Sequence, residues 1–159
     1  MMTDREAVRR DLEATRAAYH ELLASVPEDA WQRKSGNPDM TVKQLMWHVA
    51  WATAWMAGSI DGVREGKSVR APAFLLEPGR KLAMWWLARG ATPEAAGRKY
   101  DEGHAAMIEK LDTVPEDEWS RTAMRFGEER SVEWYFRLPA EHFAEHAADV
   151  RSAIAESAG

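Results

Sequence analysis

The chain contains no cysteine. That excludes a disulfide framework, a thiolate metal site, a cysteine nucleophile and a redox pair. It also lacks an excess of positive charge: 21 Lys plus Arg against 26 Asp plus Glu leave a formal net charge of −5. This balance offers no electrostatic footprint for nucleic acid or an anionic membrane, and neither is an expected partner. Long apolar runs are missing too. The most apolar stretch, residues 45–58, falls short of the ~20 residues that span a bilayer, and it contains His48. The N-terminus is charged from Asp4 onward and does not read as a secretory leader, so a cytoplasmic location is expected. No Gly-rich phosphate loop, dinucleotide fingerprint or Ser-centred elbow occurs. Tyr and Phe are few, three and four, beside eight Trp.

What is present suits one globular domain over residues 1–159, with 45% hydrophobic and 30% charged residues. Thr3 or Asp4 can cap a first helix to Ser25, whose apolar stripe runs Val8, Leu12, Tyr19, Leu22, Leu23 and Val26. Two prolines and a Gly then break the pattern. Thr41 with Gln44 has the capping-box spacing and opens a second helix to about Arg64. Residues 66–79 read as a connector, and residues 80–89 as an extra short helix stopped by Gly90. Thr92-Pro93-Glu94 opens a third long helix to about Leu111. Residues 112–130 read as loop. Leu138 to about Ala155 forms the last helix, with 131–137 leading into it. No strand alternation is evident. The expected fold is therefore all-α, a four-helix bundle.

An internal echo divides the chain. Val26-Pro27-Glu28-Asp29-Ala30-Trp31 and Val114-Pro115-Glu116-Asp117-Glu118-Trp119 agree at five of six positions, 88 residues apart. Each is followed by a polar loop and a cap-like pair, Thr41-Val42 and Ser131-Val132. The bundle thus reads as two helix–loop–helix halves.

The five histidines carry the chemistry. His142 and His146 are spaced i, i+4, which places both imidazoles on one helix face, where they can share a metal. They lie along the edge of the stripe Leu138, Phe143, Ala147, Val150, Ile154. His48 sits among Leu45, Val49, Ala52 and Met56. Counted from Thr41 and Ser131, the three histidines fall on one common helical stripe at +7, +11 and +15. Three neutral imidazoles converging there would leave open coordination positions, the pattern of a catalytic metal. The alternative is that each is a core histidine satisfied by a carbonyl or a carboxylate.

Two segments carry a family resemblance. Thr41-Val42-Lys43-Gln44-Leu45-Met46-Trp47-His48 and Glu141-His142-Phe143-Ala144-Glu145-His146-Ala147-Ala148-Asp149-Val150 resemble the second-helix histidine motif and the last-helix HxxxH of the DinB-like superfamily. That superfamily comprises damage-inducible proteins, YfiT-like metal-dependent hydrolases and thiol-dependent transferases. The resemblance implies a four-helix bundle, often dimeric, with His48, His142 and His146 binding one divalent metal. Zinc or nickel is the leading expectation, and iron also suits three imidazoles. It further implies a small-molecule enzyme, either a thiol-dependent S-transferase or a metal-dependent hydrolase. With no Cys in the chain, any thiol in the reaction is an external low-molecular-weight cosubstrate. Many relatives carry a further His and a Gly-Gln-like segment where this chain has Ala147-Ala148-Asp149. The competing class is a non-catalytic, stress-related small-molecule binder with a structural or vestigial metal site.

Other residues enter as candidates beside simpler readings. Asp149, three after His146, can accept that ring's second proton. His104 lies on an apolar stripe as a pocket candidate or a core histidine with one hydrogen bond. His20 reads as a rim residue. Glu102 is a candidate base or a surface charge, and Glu141 and Glu145 read as solvated charges. Trp47, Trp51 and Trp55 make the second helix apolar almost all round, as a central helix or one covered by another subunit. Trp85 and Trp86 can cover the bundle mouth. Arg80, Lys81 and Arg89 bracket them, as an attraction for an anionic ligand or as solvated charges.

Overall fold

The computed structural model describes residues 4–159. Helix α1 spans Arg5–Ser25, α2 Val42–Arg64, α3 Ala73–Leu87, α4 Pro93–Thr113 and α5 Val132–Ser157. Strands β1, Thr122–Arg125, and β2, Glu128–Ser131, form an antiparallel hairpin. The protein is an all-α bundle of four long helices with the extra helix α3 laid against it.

Side-chain caps set the starts of the four long helices. Asp4 accepts from the Ala7 N–H, Thr41 from Gln44, Thr92 from Ala95 and Ser131 from Trp134. At Thr41 the bond is reciprocal, because the Gln44 side chain accepts the Thr41 N–H at 2.9 Å. Such a box satisfies two otherwise orphaned donors at a helix entrance. Thr3, the other candidate cap for α1, lies outside the described residues.

The main helix packing is diagonal. Helices α1 and α2 each pack on both α4 and α5. The two long helices of one half therefore find their chief partners in the other half. Two apolar clusters result. One gathers Val8, Leu12, Met56, Met107, Leu111, Trp119 and Phe136. The other gathers Tyr19, Leu22, Trp31, Leu45, Tyr100, Phe143 and Val150. Tyr19 crosses the second, stacked on Tyr100 at 4.0 Å and donating to the Met46 carbonyl at 3.0 Å.

The repeated motif has the same structure twice. Each copy forms a single 3₁₀ turn, Glu28–Ala30 and Glu116–Glu118, entered from an extended Pro. Each ends on a buried Trp, Trp31 or Trp119. In the first half the Lys43 N–H donates to the Trp31 carbonyl at 2.9 Å, and in the second the Glu133 N–H donates to the Trp119 carbonyl at 3.0 Å.

Three boundaries differ from the sequence expectation. The extra helix begins at Ala73, inside the expected connector, and carries Pro78 within it. The last helix begins at Val132 rather than Leu138 and carries Pro139 within it. A proline removes one intrahelical hydrogen bond, and surrounding structure can absorb the loss. The expected 112–130 loop contains the β1–β2 hairpin. Its turn places Phe126 at φ 55° and Gly127 at φ 87°, the double left-handed turn that matches hairpin twist. Phe126 is held there against Trp55, with ring centroids 5.7 Å apart.

Candidate metal centre

The site lies where α2 meets α5, between the two apolar clusters. On α2, Leu45 and Met46 before His48 belong to one cluster, and Ala52 and Met56 after it belong to the other. On α5, Leu138 packs against the first cluster and Phe143 and Ala147 lie in the second. His48 is buried, and His142 and His146 are half-buried.

The three rings converge through their Nε2 atoms. His142 Nε2 lies 3.1 Å from His48 Nε2 and 3.2 Å from His146 Nε2. All three candidate ligand atoms fall within 4.8 Å of one another. Zinc–imidazole bonds of about 2.0–2.1 Å set neighbouring nitrogens of a tetrahedral site about 3.3 Å apart. The two spacings around His142 match that value, and the third pair lies within 4.8 Å, so the group could hold one ion.

The donor set also has the right protonation. Burial pushes the His48 pKa down to about 4, with the neighbouring His146 and Arg80 charges acting the same way. His142 falls to about 3, from burial first, then His48, His146 and Arg80. His146 is also lowered, by burial and by Arg80, although Glu145 and Asp149 oppose the shift. The rings are neutral at pH 7, as metal ligation requires. Their other nitrogens tell a consistent story. His48 Nδ1 and His146 Nδ1 are buried without a hydrogen-bond partner. Such orphaned groups are rare in a finished core and are tolerated where function needs the ring.

The remaining candidates fall elsewhere. Asp149 Oδ2 is 4.0 Å from His146 Nδ1, beyond direct hydrogen-bond reach. The Asp149 backbone instead holds the first-half loop, its carbonyl accepting the Gly36 N–H at 3.0 Å. A Cβ on Gly36 would come within 2.9 Å of Asp149 Oδ1 and 3.1 Å of its Cα, so a side chain there would have to push Asp149 aside by a few tenths of an ångström. That loop contact was not anticipated from sequence, and Gly36 gave only a turn signal.

His104 is not part of the three-histidine group. Its Nε2 lies 3.2 Å from Glu13 Oε1 across the α1–α4 contact. That is the core-histidine reading. His20 likewise pairs with Asp101, 2.8 Å away, which Arg16 also holds at 2.7 Å. Both pairs sit on the α1–α4 side, while the three-histidine group sits on the α2–α5 side. Glu102 makes an exposed ion pair with Lys99, and Glu141 and Glu145 are exposed.

The aromatic candidates divide. Trp47, Trp51 and Trp55 are half-buried and pack against the core. Trp85 and Trp86 stay largely exposed. Trp85 lines a small pocket with Met40, Gln44, Lys81 and Met84, under the Arg89 guanidinium 5.4 Å from its ring. None of the three histidines lines that pocket. Among the described residues, no helix is long and apolar enough to cross a membrane.

A family model described as the DinB superfamily matches residues 11–150. That span contains all three histidines and both copies of the repeated motif. No curated protein and no solved structure matches.

Proposed function

The chain belongs to the DinB superfamily, and on that premise we propose that it is a divalent-metal-dependent enzyme acting on a small molecule. His48, His142 and His146 are its proposed ligands, each through Nε2. The observation that carries this reading is the convergence of three neutral Nε2 atoms at 3.1 and 3.2 Å, with no other partner for them. A divalent ion, zinc or nickel first and iron next, supplies Lewis acidity that activates a nucleophile at neutral pH.

The chain's own residues do the rest. Burial keeps the imidazoles unprotonated, so each offers a lone pair near neutral pH. His48 is the most enclosed, and half-burial of His142 and His146 leaves the solvent side of the group open to a substrate. The chain supplies no thiol. An S-transferase reaction here takes its nucleophile from a low-molecular-weight thiol, and a hydrolase takes it from water. The proposed setting is the cytoplasm, where such thiols are kept reduced.

Metal analysis of untagged protein tests the premise: close to one divalent ion per chain is expected, and metal-free protein that takes up no added zinc or nickel refutes it. Turnover of an electrophile only with an added thiol supports the transferase. Thiol-independent ester or amide cleavage supports the hydrolase. A loaded protein that binds small molecules without turning any over supports the non-catalytic binder.

A further inference from the structure

Helix α3 runs back along α2 in the opposite direction, and three contacts fix its register. Pro72, just before α3, lies beside the hairpin tip. A Cβ on Gly127 would be 3.9 Å from the Pro72 Cα, and Phe126 of the same turn packs on Trp55. Further along, Met84 is buried and shares a small pocket with Met40 and Gln44. Beyond it the Lys43 ammonium donates to the Arg89 carbonyl at 3.1 Å. His48 is one turn after Gln44, and Arg80 is one turn before Met84. The antiparallel register therefore sets Arg80 at the level of His48, on the side of α3 that it shares with Met84 at i, i+4. The electrostatics agree with that placement. The positive charge of Arg80 opposes protonation of His48, His142 and His146 alike.

The Arg80 guanidinium has donors to spare. Among the described residues it makes one hydrogen bond, from Nη2 to Glu77 Oε1 at 2.7 Å. Both side chains are open to water, at 51 and 40% exposure. A pair so exposed is weak, and a guanidinium carries five N–H donors in a fork that matches a carboxylate. Another carboxylate can join Glu77 or take its place. A cation is also out of place beside a metal unless the ligand is an anion. Three neutral imidazoles leave a divalent ion its full double charge. Arg80 adds a third positive charge, which by itself weakens metal binding. An anionic group bound beside both offsets that repulsion, and a charge-assisted bond to Arg80 fixes its orientation.

We propose that the molecule taken up at the three-histidine centre carries a carboxylate, and that Arg80 holds it. This rests on the metal reading above and names the substrate class of that site. The carboxylate belongs either to a thiol cosubstrate or to the other reacting molecule, and two pairs of probes separate these sources. Cobalt-loaded protein is titrated with each probe and read by the visible spectrum of the metal. One pair is 3-mercaptopropionate and 2-mercaptoethanol; the other is succinate monohydroxamate and acetohydroxamate. Within each pair the metal-binding group is shared, and one member adds a carboxylate. In at least one pair the carboxylate member should bind wild type about tenfold more tightly. Preference in the thiol pair assigns the carboxylate to the cosubstrate, and preference in the hydroxamate pair assigns it to the other molecule. Arg80→Gln should abolish the preference, and Arg80→Lys should keep part of it, because the charge remains and the fork is lost. Arg80→Gln should also bind cobalt about two- to fivefold more tightly, a gain that a merely structural residue would not give. Arg89→Gln, further along α3 and over the Trp85 ring, should change neither reading. A wild type without preference in either pair, or an Arg80→Gln chain that keeps it, overturns the proposal and leaves the metal reading intact. Wild-type protein that takes up no cobalt overturns the metal reading, and the carboxylate proposal with it.

Discussion

The two halves of the chain solve the same problem with different loops. Both leave a helix through the Val-Pro-Glu-Asp-x-Trp turn, and both tie the next helix back with the same backbone bonds. Val42 N–H to the Arg33 carbonyl matches Val132 N–H to the Arg121 carbonyl. Between those fixed points the first half makes one isolated bridge, Lys34 with Thr41. The second has two more residues and grows the equivalent pair, Thr122 with Ser131, into a four-pair ladder. The first loop turns onto α5 through Gly36 at Asp149. The second turns onto α2 through Phe126 at Trp55. The helix stripes differ in a matching way. His48, Ala52 and Met56 of the first half stand at the repeat positions of Leu138, His142 and His146 in the second. Each half thus supplies imidazole where the other supplies an apolar side chain, and the shared frame lets the two sets meet.

The largest expected effect breaks that complementarity at its centre. His142 is in contact with both other rings, so His142→Ala should lower metal affinity by more than ~100-fold, beyond the range of a lost outer partner. His104→Gln and His20→Gln, on the other side of the bundle, should leave metal content unchanged by elemental analysis. Next comes pH. The His48 and His142 rings take up protons near 6.5 when unfolded and at about 4 and about 3 when folded. Between those limits the unfolded chain binds more protons, so metal-free protein should lose stability as pH falls from about 6.5 toward 4. The thermal midpoint measures this, and His142→Ala should show a shallower fall than the wild type.

The two loops can then be set against each other. Gly36→Ala and Gly127→Ala should each cost about 1–3 kcal/mol in denaturant unfolding, the first by a clash with Asp149 and the second by strain at positive φ. Gly36→Ala alone should also weaken metal binding, by about tenfold, because it displaces the α5 backbone at Asp149, one turn beyond His146. Equal metal affinity in the two variants would show that the first loop does not support the site. The smallest difference concerns the two motif tryptophans. Trp31 Nε1 donates to the Ala91 carbonyl at 3.1 Å, tying its turn to the entrance of α4, whereas Trp119 donates locally to Val114 at 3.4 Å. Trp31→Phe should therefore cost about 1 kcal/mol more than Trp119→Phe.

Much of this arrangement was legible in the sequence, for identifiable reasons. The Thr41–Gln44 box and the Thr92-Pro93 pair act locally, so they marked the starts of α2 and α4. The three histidines were legible because the repeat supplied a common frame for residues far apart. The starts of α3 and α5 were not, because each helix carries a proline several residues past its start, Pro78 and Pro139, where proline ordinarily is confined to the first turn. At Pro78 the helix loses one bond, and the Phe74 carbonyl left without that donor sits on an exposed stretch. The hairpin was hidden because its turn puts a phenylalanine in the left-handed region, where sequence rules expect Gly or Asn. Phe126 tolerates it through Trp55, a contact across the chain. Asp149 shows the same limit at the site. Its spacing from His146 was readable, but the docking of Gly36 on its backbone was not.

The diagonal packing of the long helices bears on how the chain assembles. Because α1 and α2 each rest on α4 and α5, neither half can bury its apolar stripe before the other arrives. Most stabilising helix contacts join residues far apart in sequence, so this bundle should fold slowly for an all-helical protein. A cut in the segment 67–72 should leave two fragments that are poorly ordered alone and gain helix on mixing. His48 would lie on one fragment and His142 and His146 on the other, which makes metal uptake a direct signal that the two pieces have found each other.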